Sequence, residues 1–282
     1  MFRFKRRRFV KTDFLGHSRI GAGSLLGITC VGKLDGGGAQ VHAVMSAILF
    51  SRAAGIAYFH SPFTSVGEGE EPEVFAARWE AAFNLGQGAP RVPDGVPIIS
   101  GETFSQGYRG APAVVTQRHF HGFAERNPDL YSQLADEFRA RLALPPRSFD
   151  KPTIAVHVRR GDVAGNAAHA SRLTDNATIL RNISHVLRDH PRHRVVIFSQ
   201  GVESDFGPLA DSCAFELNSN VFSTISALIA ADCLIMAKSS LSYVAGLLSK
   251  GSVYYEPFWH GPLSSWRVLP KPPRALRQAI WG

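Results

Sequence analysis

Residues 157–162, with the sequence His-Val-Arg-Arg-Gly-Asp, contain the side chains that a phosphate-binding site needs. The planar guanidinium groups of Arg159 and Arg160 can each bind two phosphate oxygens, and Gly161 lets a ligand approach the backbone closely. Adjacent side chains of an extended segment point to opposite sides, so we expect one arginine to face the ligand. A surface strand end with a salt bridge to Asp162 is the alternative, and the residues alone do not decide between the two.

A second segment, residues 238–242, has the composition of an anion-binding helix N-terminus. It supplies Lys238, Ser239, Ser240 and Ser242 directly after an apolar run. Backbone N–H groups at the start of a helix attract anions, and serine hydroxyls can add hydrogen bonds. The serines can also act simply as helix caps, and the two roles are compatible.

A third segment, residues 35–42, is rich in glycine and includes Gly37, Gly38, Gln40 and His42. Glycines at a junction between a strand and a helix allow a ligand or another backbone to come close. The segment matches neither the dinucleotide-binding G-x-G-x-x-G pattern nor the P-loop, which requires Gly-Lys-Ser/Thr. A structural turn is therefore the alternative interpretation.

All three segments follow predicted strands in an alternation of strands and helices. Such an alternation is typical of a parallel α/β sheet, in which ligands bind at the carboxyl ends of the strands. We predict strands at residues 25–31, 56–59, 113–116, 153–158, 195–198, 233–236 and 252–255, the last of them the final strand. We predict helices at 40–54, 73–84, 127–144 and 241–248, one capped by Thr174 or Asp175, one capped by Ser223, and a closing helix at 274–280.

Tandem prolines at 145 and 146 mark a linker, because proline can continue neither a helix nor a central strand. We place the domain boundary there, with an N-terminal domain at residues 1–148 and a C-terminal domain at 149–282. The predicted fold class is α/β, with two Rossmann-like domains facing a cleft in a GT-B-like arrangement.

The pattern His157-x-Arg159-Arg160-x-Asp162 resembles the H-x-R-R-x-D motif of the α1,2- and α1,6-fucosyltransferases and, more loosely, of the protein O-fucosyltransferases. Residues 231–242 look like a later motif of these enzymes, in which Ala-Asp precedes an apolar strand and a serine-rich turn. Residues 36–40 are similar to their N-terminal glycine-rich segment. The order and spacing of all three motifs fit this resemblance.

The resemblance implies an inverting fucosyltransferase with GDP-fucose as donor, a glycan hydroxyl as acceptor, and no metal or other cofactor. The first domain would lie on the acceptor side and the second would bind the nucleotide sugar. As catalytic residues it implies Arg159, which would bind the diphosphate and help GDP leave, and Asp162. The implied substrate- and nucleotide-binding residues are His157, Arg160, Gly161, Lys238, Ser239, Ser240, Ser242, Gly37, Gly38, Gln40 and His42.

The catalytic base is not evident from the sequence. The α1,6 enzymes carry charged residues shortly after the two arginines, whereas residues 163–169 here read Val-Ala-Gly-Asn-Ala-Ala-His. Asp162, His42 and His169 remain as candidates for accepting the proton of the acceptor hydroxyl. A base can be dispensable if departure of GDP runs ahead of attack through an oxocarbenium-like transition state.

The net charge of +8 attracts acidic partners, which include nucleotides, anionic glycans, anionic lipid and nucleic acid. There are two alternative functions. One is a GT-B glycosyltransferase that uses another nucleotide sugar as donor, and the other is a non-catalytic protein that binds anions or nucleic acid. Basic residues are not interleaved with aromatic ones and no nucleic-acid-binding motif occurs, so we expect no nucleic-acid partner. The basic residues 3–8 leave peripheral contact with a membrane open.

Three cysteines, at positions 30, 213 and 233, are too few and too scattered to predict a disulfide framework or a zinc site. We interpret them as reduced core residues, which favours a reducing compartment. We expect a cytoplasmic location because the sequence shows neither an export signal nor an apolar run of the roughly 20 residues that span a membrane. Residues 188–194 are rich in histidine and arginine, and we interpret them as a solvated helix end rather than a metal site.

Overall fold

The computed structural model describes residues 25–67, 71–161, 163 and 171–270. The predictions made for Asp162, His169, the basic residues 3–8 and the closing helix at 274–280 lie outside these residues. The chain divides into two compact units, the first ending at Ala143 and the second beginning at Leu144. Each unit is described by itself.

The first unit is built on a three-stranded parallel sheet. Its strands are β1 (Leu25–Cys30), β2 (Ile98–Ser100) and β3 (Ala113–Gln117), in the order β1-β3-β2. Its helices are α1 (Gly37–Ala54), α2 (Pro72–Phe83), α3 (Gly101–Ser105), α4 (His121–Arg126) and α5 (Asp129–Arg141). Helix α1 is buried on nearly all sides because it packs against β1, α2, α4 and α5.

The second unit contains a six-stranded sheet in which every pair of neighbours is parallel. Its strands are β4 (Thr153–His157), β5 (Arg194–Ser199), β6 (Ala214–Leu217), β7 (Cys233–Ile235), β8 (Ser252–Tyr255) and β9 (Arg267–Val268). Its helices are α6 (Asn176–Asp189), a 3-10 helix (Glu203–Leu209), α7 (Val221–Ala230) and α8 (Ser240–Leu248).

The strand order of this second sheet is β6-β5-β4-β7-β8-β9. From β4 the chain first adds β5 and β6 on one side, and then returns to place β7 on the other side of β4. The order therefore reverses between β4 and β7. In open α/β sheets such a reversal opens a crevice at the carboxyl ends of the two strands, and this crevice is where ligands bind.

Helix α6 covers one face of this sheet with an apolar stripe. Ile179, Ile183 and Val186 recur at helical spacing and are buried in one cluster with residues of β4, β5 and β7. Burying each such side chain stabilises the fold by about 1.5–3 kcal/mol. The helix begins where the carboxylate of Asp175 accepts a hydrogen bond from the backbone N–H of Thr178 (2.8 Å), as the sequence predicted.

The α/β class with parallel sheets is confirmed, and three local predictions are wrong. The expected strand at 56–59 is reduced to an isolated bridge between Tyr58 and Ile28. Helix α7 is capped by Asn220, whose side chain accepts a hydrogen bond from the N–H of Phe222, and not by Ser223. The strand at 252–255 is not the final one, since β9 pairs with it.

The three cysteines are free thiols, two of them buried and the third, Cys213, half-buried. Among the helices of the described ranges, none has the length and hydropathy required to cross a membrane.

Candidate functional site

The segments that follow β4 and β7 lie side by side at the carboxyl edge of the second sheet. Val156 of β4 pairs with Ile235 of β7. Arg159 and Lys238 each lie three residues beyond this pair, so the predicted segments 157–161 and 238–242 meet at the point where the strand order reverses. The sheet thus brings together two groups of predicted site residues that are about 80 positions apart in the chain.

Arg160 is held firmly at this edge by the start of α6 and by the 3-10 helix. Its guanidinium donates a hydrogen bond to the side-chain oxygen of Asn176 and lies over the ring of Phe206, 5.2 Å from the centroid. Asn176 in turn donates to the backbone oxygen of Asp205 (2.9 Å). These contacts indicate that Arg160 positions the loop after β4.

His157, the last residue of β4, is half-buried, and its Nδ1 is buried without a hydrogen-bond partner among the described residues. Burial lowers the pKa of His157 to about 4, and the positive charge of Arg159 contributes to the same shift. The imidazole is therefore neutral at physiological pH. A neutral imidazole can offer a ligand a hydrogen bond without adding charge.

The N-terminus of α8 is stabilised by its own serines. The hydroxyl of Ser239 accepts a hydrogen bond from the N–H of Leu241 (3.2 Å). The buried hydroxyl of Ser242 contacts the backbone oxygens of Ala237 (3.0 Å) and Ser239 (3.2 Å). Ser240, the first residue of α8, is also buried. The hydroxyls of Ser239 and Ser242 thus stabilise the turn before α8. The ligand roles of the three serines stay predictions.

An acidic residue that the sequence analysis missed lies at the same edge. Glu256 directly follows β8, and its two carboxylate oxygens contact the ammonium of Lys238 (3.2 Å) and the hydroxyl of Thr174 (3.0 Å). The ammonium also approaches the backbone oxygen of Leu173 (3.5 Å). The position of Glu256 just after a predicted strand could have indicated a site residue, because ligands bind at the carboxyl ends of parallel strands.

The loops after β4 and β5 approach each other at Gly161. A Cβ atom at this position would lie 1.6 Å from the side-chain oxygen of Gln200, which follows β5. Glycine therefore leaves room for the amide of Gln200 at the edge of the site.

The predicted residues of the first unit cluster at the start of α1. Gly37 is packed against Trp79, since a Cβ there would lie 2.0 Å from the indole ring. The buried amide of Gln40 donates to the backbone oxygens of Asp35 (2.7 Å) and Ser65 (2.8 Å). Gly38 is buried beside them. The glycine-rich segment thus has a clear packing role, and its contact with a ligand stays a prediction.

His42 belongs to a stack of aromatic side chains in the first unit. Its ring lies 4.1 Å from that of His121 and 5.8 Å from that of Tyr131, and His119 stacks on the other histidine at 4.3 Å. Burial lowers the pKa of His119, and the charge of Lys33 adds to this shift. The stack thus brings His42, near the start of α1, together with His119 and His121, which follow β3.

Comparison with known proteins gives structural similarity without sequence similarity. No protein-family model and no curated protein matches the chain. Three solved structures that are similar to it are glycosyltransferases. The first is the dodecameric iron-containing heptosyltransferase TibC in complex with ADP-D-beta-D-heptose, with 13% identity over 88% of this chain and a TM-score of 0.45. The chain spans 63% of the length of TibC.

The other two structures are covered almost completely. The E. coli heptosyltransferase WaaC with ADP has 15% identity over 91% of this chain and 99% of its own, with a TM-score of 0.45. POFUT1 in complex with GDP has 12% identity over 87% of this chain and 97% of its own, with a TM-score of 0.41.

Proposed function

We propose that this protein is a glycosyltransferase that binds a nucleotide sugar at the carboxyl edge of its second sheet. One observation carries the proposal: the two arginines after β4 and the N-terminus of α8 after β7 flank the reversal of strand order. Both groups favour phosphate, one through guanidinium charge and the other through backbone N–H groups. Two anion-binding elements at the reversal of strand order favour a diphosphate ligand.

The proposed reaction is a single displacement at the anomeric carbon of the donor sugar. An acceptor hydroxyl oxygen forms the new bond, the bond between sugar and phosphate oxygen breaks, and the nucleoside diphosphate leaves with the electron pair. Negative charge grows on the diphosphate, where Arg159 and the N-terminus of α8 would stabilise it. Neutral His157 would donate a hydrogen bond to the donor, and the acceptor proton would pass to a base or to water.

We propose GDP-fucose as the donor and a glycan hydroxyl as the acceptor. This part of the proposal is supported by the resemblance of residues 157–162, 231–242 and 36–40 to fucosyltransferase motifs. Among these, His157, Arg159 and Arg160 lie at the edge that the topology selects for ligand binding. As in the sequence-based prediction, the reaction would need no metal or cofactor besides its donor.

A thermal-shift comparison of GDP, GDP-fucose, GDP-mannose, UDP and ADP tests the donor site. A ligand at 100 times its Kd adds about 2.7 kcal/mol to the stability of the native state, so a bound nucleotide raises the unfolding midpoint. We expect GDP compounds to do so in the wild type and in Arg192→Ala, an exposed control, but not in Arg159→Ala. Release of GDP on addition of glycan acceptors then tests transfer.

The possible outcomes distinguish the nucleotide site from the identity of the donor. Stabilisation by UDP or ADP alone, lost in Arg159→Ala, would retain the glycosyltransferase and replace the donor. Absence of any shift, or an equal shift in Arg159→Ala, would refute the nucleotide site.

A further inference from the structure

Two histidines and a cysteine approach one another at the amino edge of the second sheet, opposite the proposed donor site. His190 caps the C-terminus of α6, His193 follows three residues later, and Cys233 is the first residue of β7. One metal-ligating atom of each residue lies within 4.8 Å of the others. Both histidines belong to residues 188–194, for which the sequence predicted a solvated helix end rather than a metal site, and the cysteine is 40 positions away from the nearer histidine.

The backbone fixes all three residues in place. The N–H of His193 donates to the carbonyl of His190 (3.1 Å), which closes a turn with Pro191 in its second position. The two imidazole rings lie 4.8 Å apart, edge to face. Cys233 pairs with Ile154 in the sheet and is 1% exposed. The backbone positions of the three residues are therefore set before any ligand arrives.

One imidazole nitrogen of these residues lacks a hydrogen bond. Nδ1 of His193 is buried and has no hydrogen-bond partner within the described ranges. A buried polar atom left without a partner destabilises the fold by about 1–3 kcal/mol. A metal ion between the imidazoles and the thiol would satisfy this nitrogen.

We propose that His190, His193 and Cys233 bind a divalent transition-metal ion, Zn²⁺. Imidazole nitrogen and thiolate sulfur are ligands that Zn²⁺ prefers, and three protein ligands leave a fourth position for water. Ligand atoms of a tetrahedral zinc site lie roughly 3.3–3.6 Å apart, so the ligand atoms, which lie within 4.8 Å of one another, have to approach by up to about 1.5 Å. The C-terminus of α6 also favours a cation at this place.

A second layer of contacts orients His190. Its Nε2 lies 3.0 Å from the hydroxyl of Tyr254, which lies 3.3 Å from a carboxylate oxygen of Asp189. Metal-bound histidines commonly donate their other N–H to such a partner, and this arrangement leaves Nδ1 of His190 for the ion. The guanidinium of Arg267 contacts both Asp189 (2.7 Å) and Tyr254 (2.7 Å), so the carboxylate offsets its charge.

The consequence of metal binding is local. The ion would attach the end of α6 and the following turn to the first residue of β7. It would act as a structural clamp, separate from the proposed chemistry at the opposite edge of the sheet.

Titration of the full chain with Co²⁺ after dialysis against a chelator tests the site. We expect one equivalent to produce a thiolate-to-cobalt charge-transfer absorption, which Zn²⁺ then displaces. We also expect Zn²⁺ to raise the unfolding midpoint. Cys233→Ser should abolish the charge-transfer absorption, and His193→Gln should weaken Co²⁺ binding at least tenfold.

Two control variants keep the test decisive. Cys213→Ser and His185→Gln change a thiol and a histidine outside the cluster and should leave Co²⁺ binding unchanged. His193 is half-buried in a turn, so its variant tests the site even if Cys233→Ser fails to fold. Lack of a thiolate absorption in the wild type, or its full persistence in His193→Gln, would overturn the proposal. Co²⁺ bound by imidazoles alone, for example at the histidine stack around His121, would give no thiolate-to-cobalt absorption.

Discussion

The ammonium group of Lys238 lies 3.2 Å from a carboxylate oxygen of Glu256, although the two residues follow different strands. The contact forms because β7 and β8 are neighbours and both run toward the same edge. Lys238 therefore reaches the proposed donor site already paired with an anion. An incoming diphosphate has to share this cation with the carboxylate, so the ion pair tunes how strongly the site attracts phosphate.

Glu256→Gln should strengthen the binding of GDP by a few-fold at low ionic strength, because an anion next to the diphosphate is removed. Lys238→Met should weaken it by about tenfold or more, since a charge-assisted contact contributes roughly 1.5–3 kcal/mol. Isothermal titration with GDP measures both effects. Glu203→Gln, at an exposed position, is the matched control. Weaker binding in Glu256→Gln would contradict this account of the pair.

Arg160→Lys should destabilise the second unit by about 1–2 kcal/mol, because lysine retains the charge but loses the planar contacts with Asn176 and Phe206. Urea unfolding measures the change. A double-mutant cycle with Asn176→Ala should give a coupling energy of about 0.5–3 kcal/mol. Additive effects of the two substitutions would show that the side chains do not depend on each other.

Elements with long apolar patterns were predictable from the sequence, and short edge elements were not. Helices α1, α2 and α5 and strands β1, β4 and β5 were predicted within a few residues of their ends. By contrast, β6 consists of four half-buried residues at a sheet edge, and β9 has two residues. Such elements are set by their neighbours and carry little periodicity of their own.

The candidate donor site was predicted only from contiguous segments. Residues 157–161 and 238–242 each form a short motif after a strand, and the sheet brings the two segments to one edge, while their ligand roles stay predictions. Glu256 and Gln200 were not assigned a role, since their contacts with Lys238 and Gly161 depend on strand order. The clustering of Cys233 with His190 has the same origin. Strand order is a tertiary property that local sequence patterns do not specify.

Gly37→Ala should destabilise the first unit by about 1–3 kcal/mol, because the new Cβ would lie 2.0 Å from the buried ring of Trp79. The ring is stacked on Phe83 at 5.5 Å, which restricts its movement. Gly122→Ala is the control: its Cβ would come no closer than 3.5 Å to another side chain, and alanine favours α4 by up to about 1 kcal/mol. Chemical unfolding of both variants checks the difference in sign.

His157 should make the fold sensitive to acid. Its pKa is lowered from 6.5 to about 4 in the folded protein, so between these values the unfolded chain binds more protons than the folded one. The contribution of His157 to the free energy of unfolding is therefore fully present above pH 6.5 and is lost as the pH falls toward 4. His157→Gln should flatten this decrease in a plot of urea midpoint against pH, whereas His185→Gln should not. Identical slopes for wild type and His157→Gln would refute the buried neutral imidazole.

The two strand orders have different consequences for a chain that emerges from the ribosome. In the second unit, β4 is made first, and each later strand is adjacent to one that already exists. This sheet can grow outward from its centre as synthesis proceeds. In the first unit, β2 pairs among the described strands only with β3, which is made later, so β2 forms no sheet contact until β3 is synthesised. Nascent-chain folding should therefore be gradual in the second sheet and delayed in the first until residue 117 has emerged.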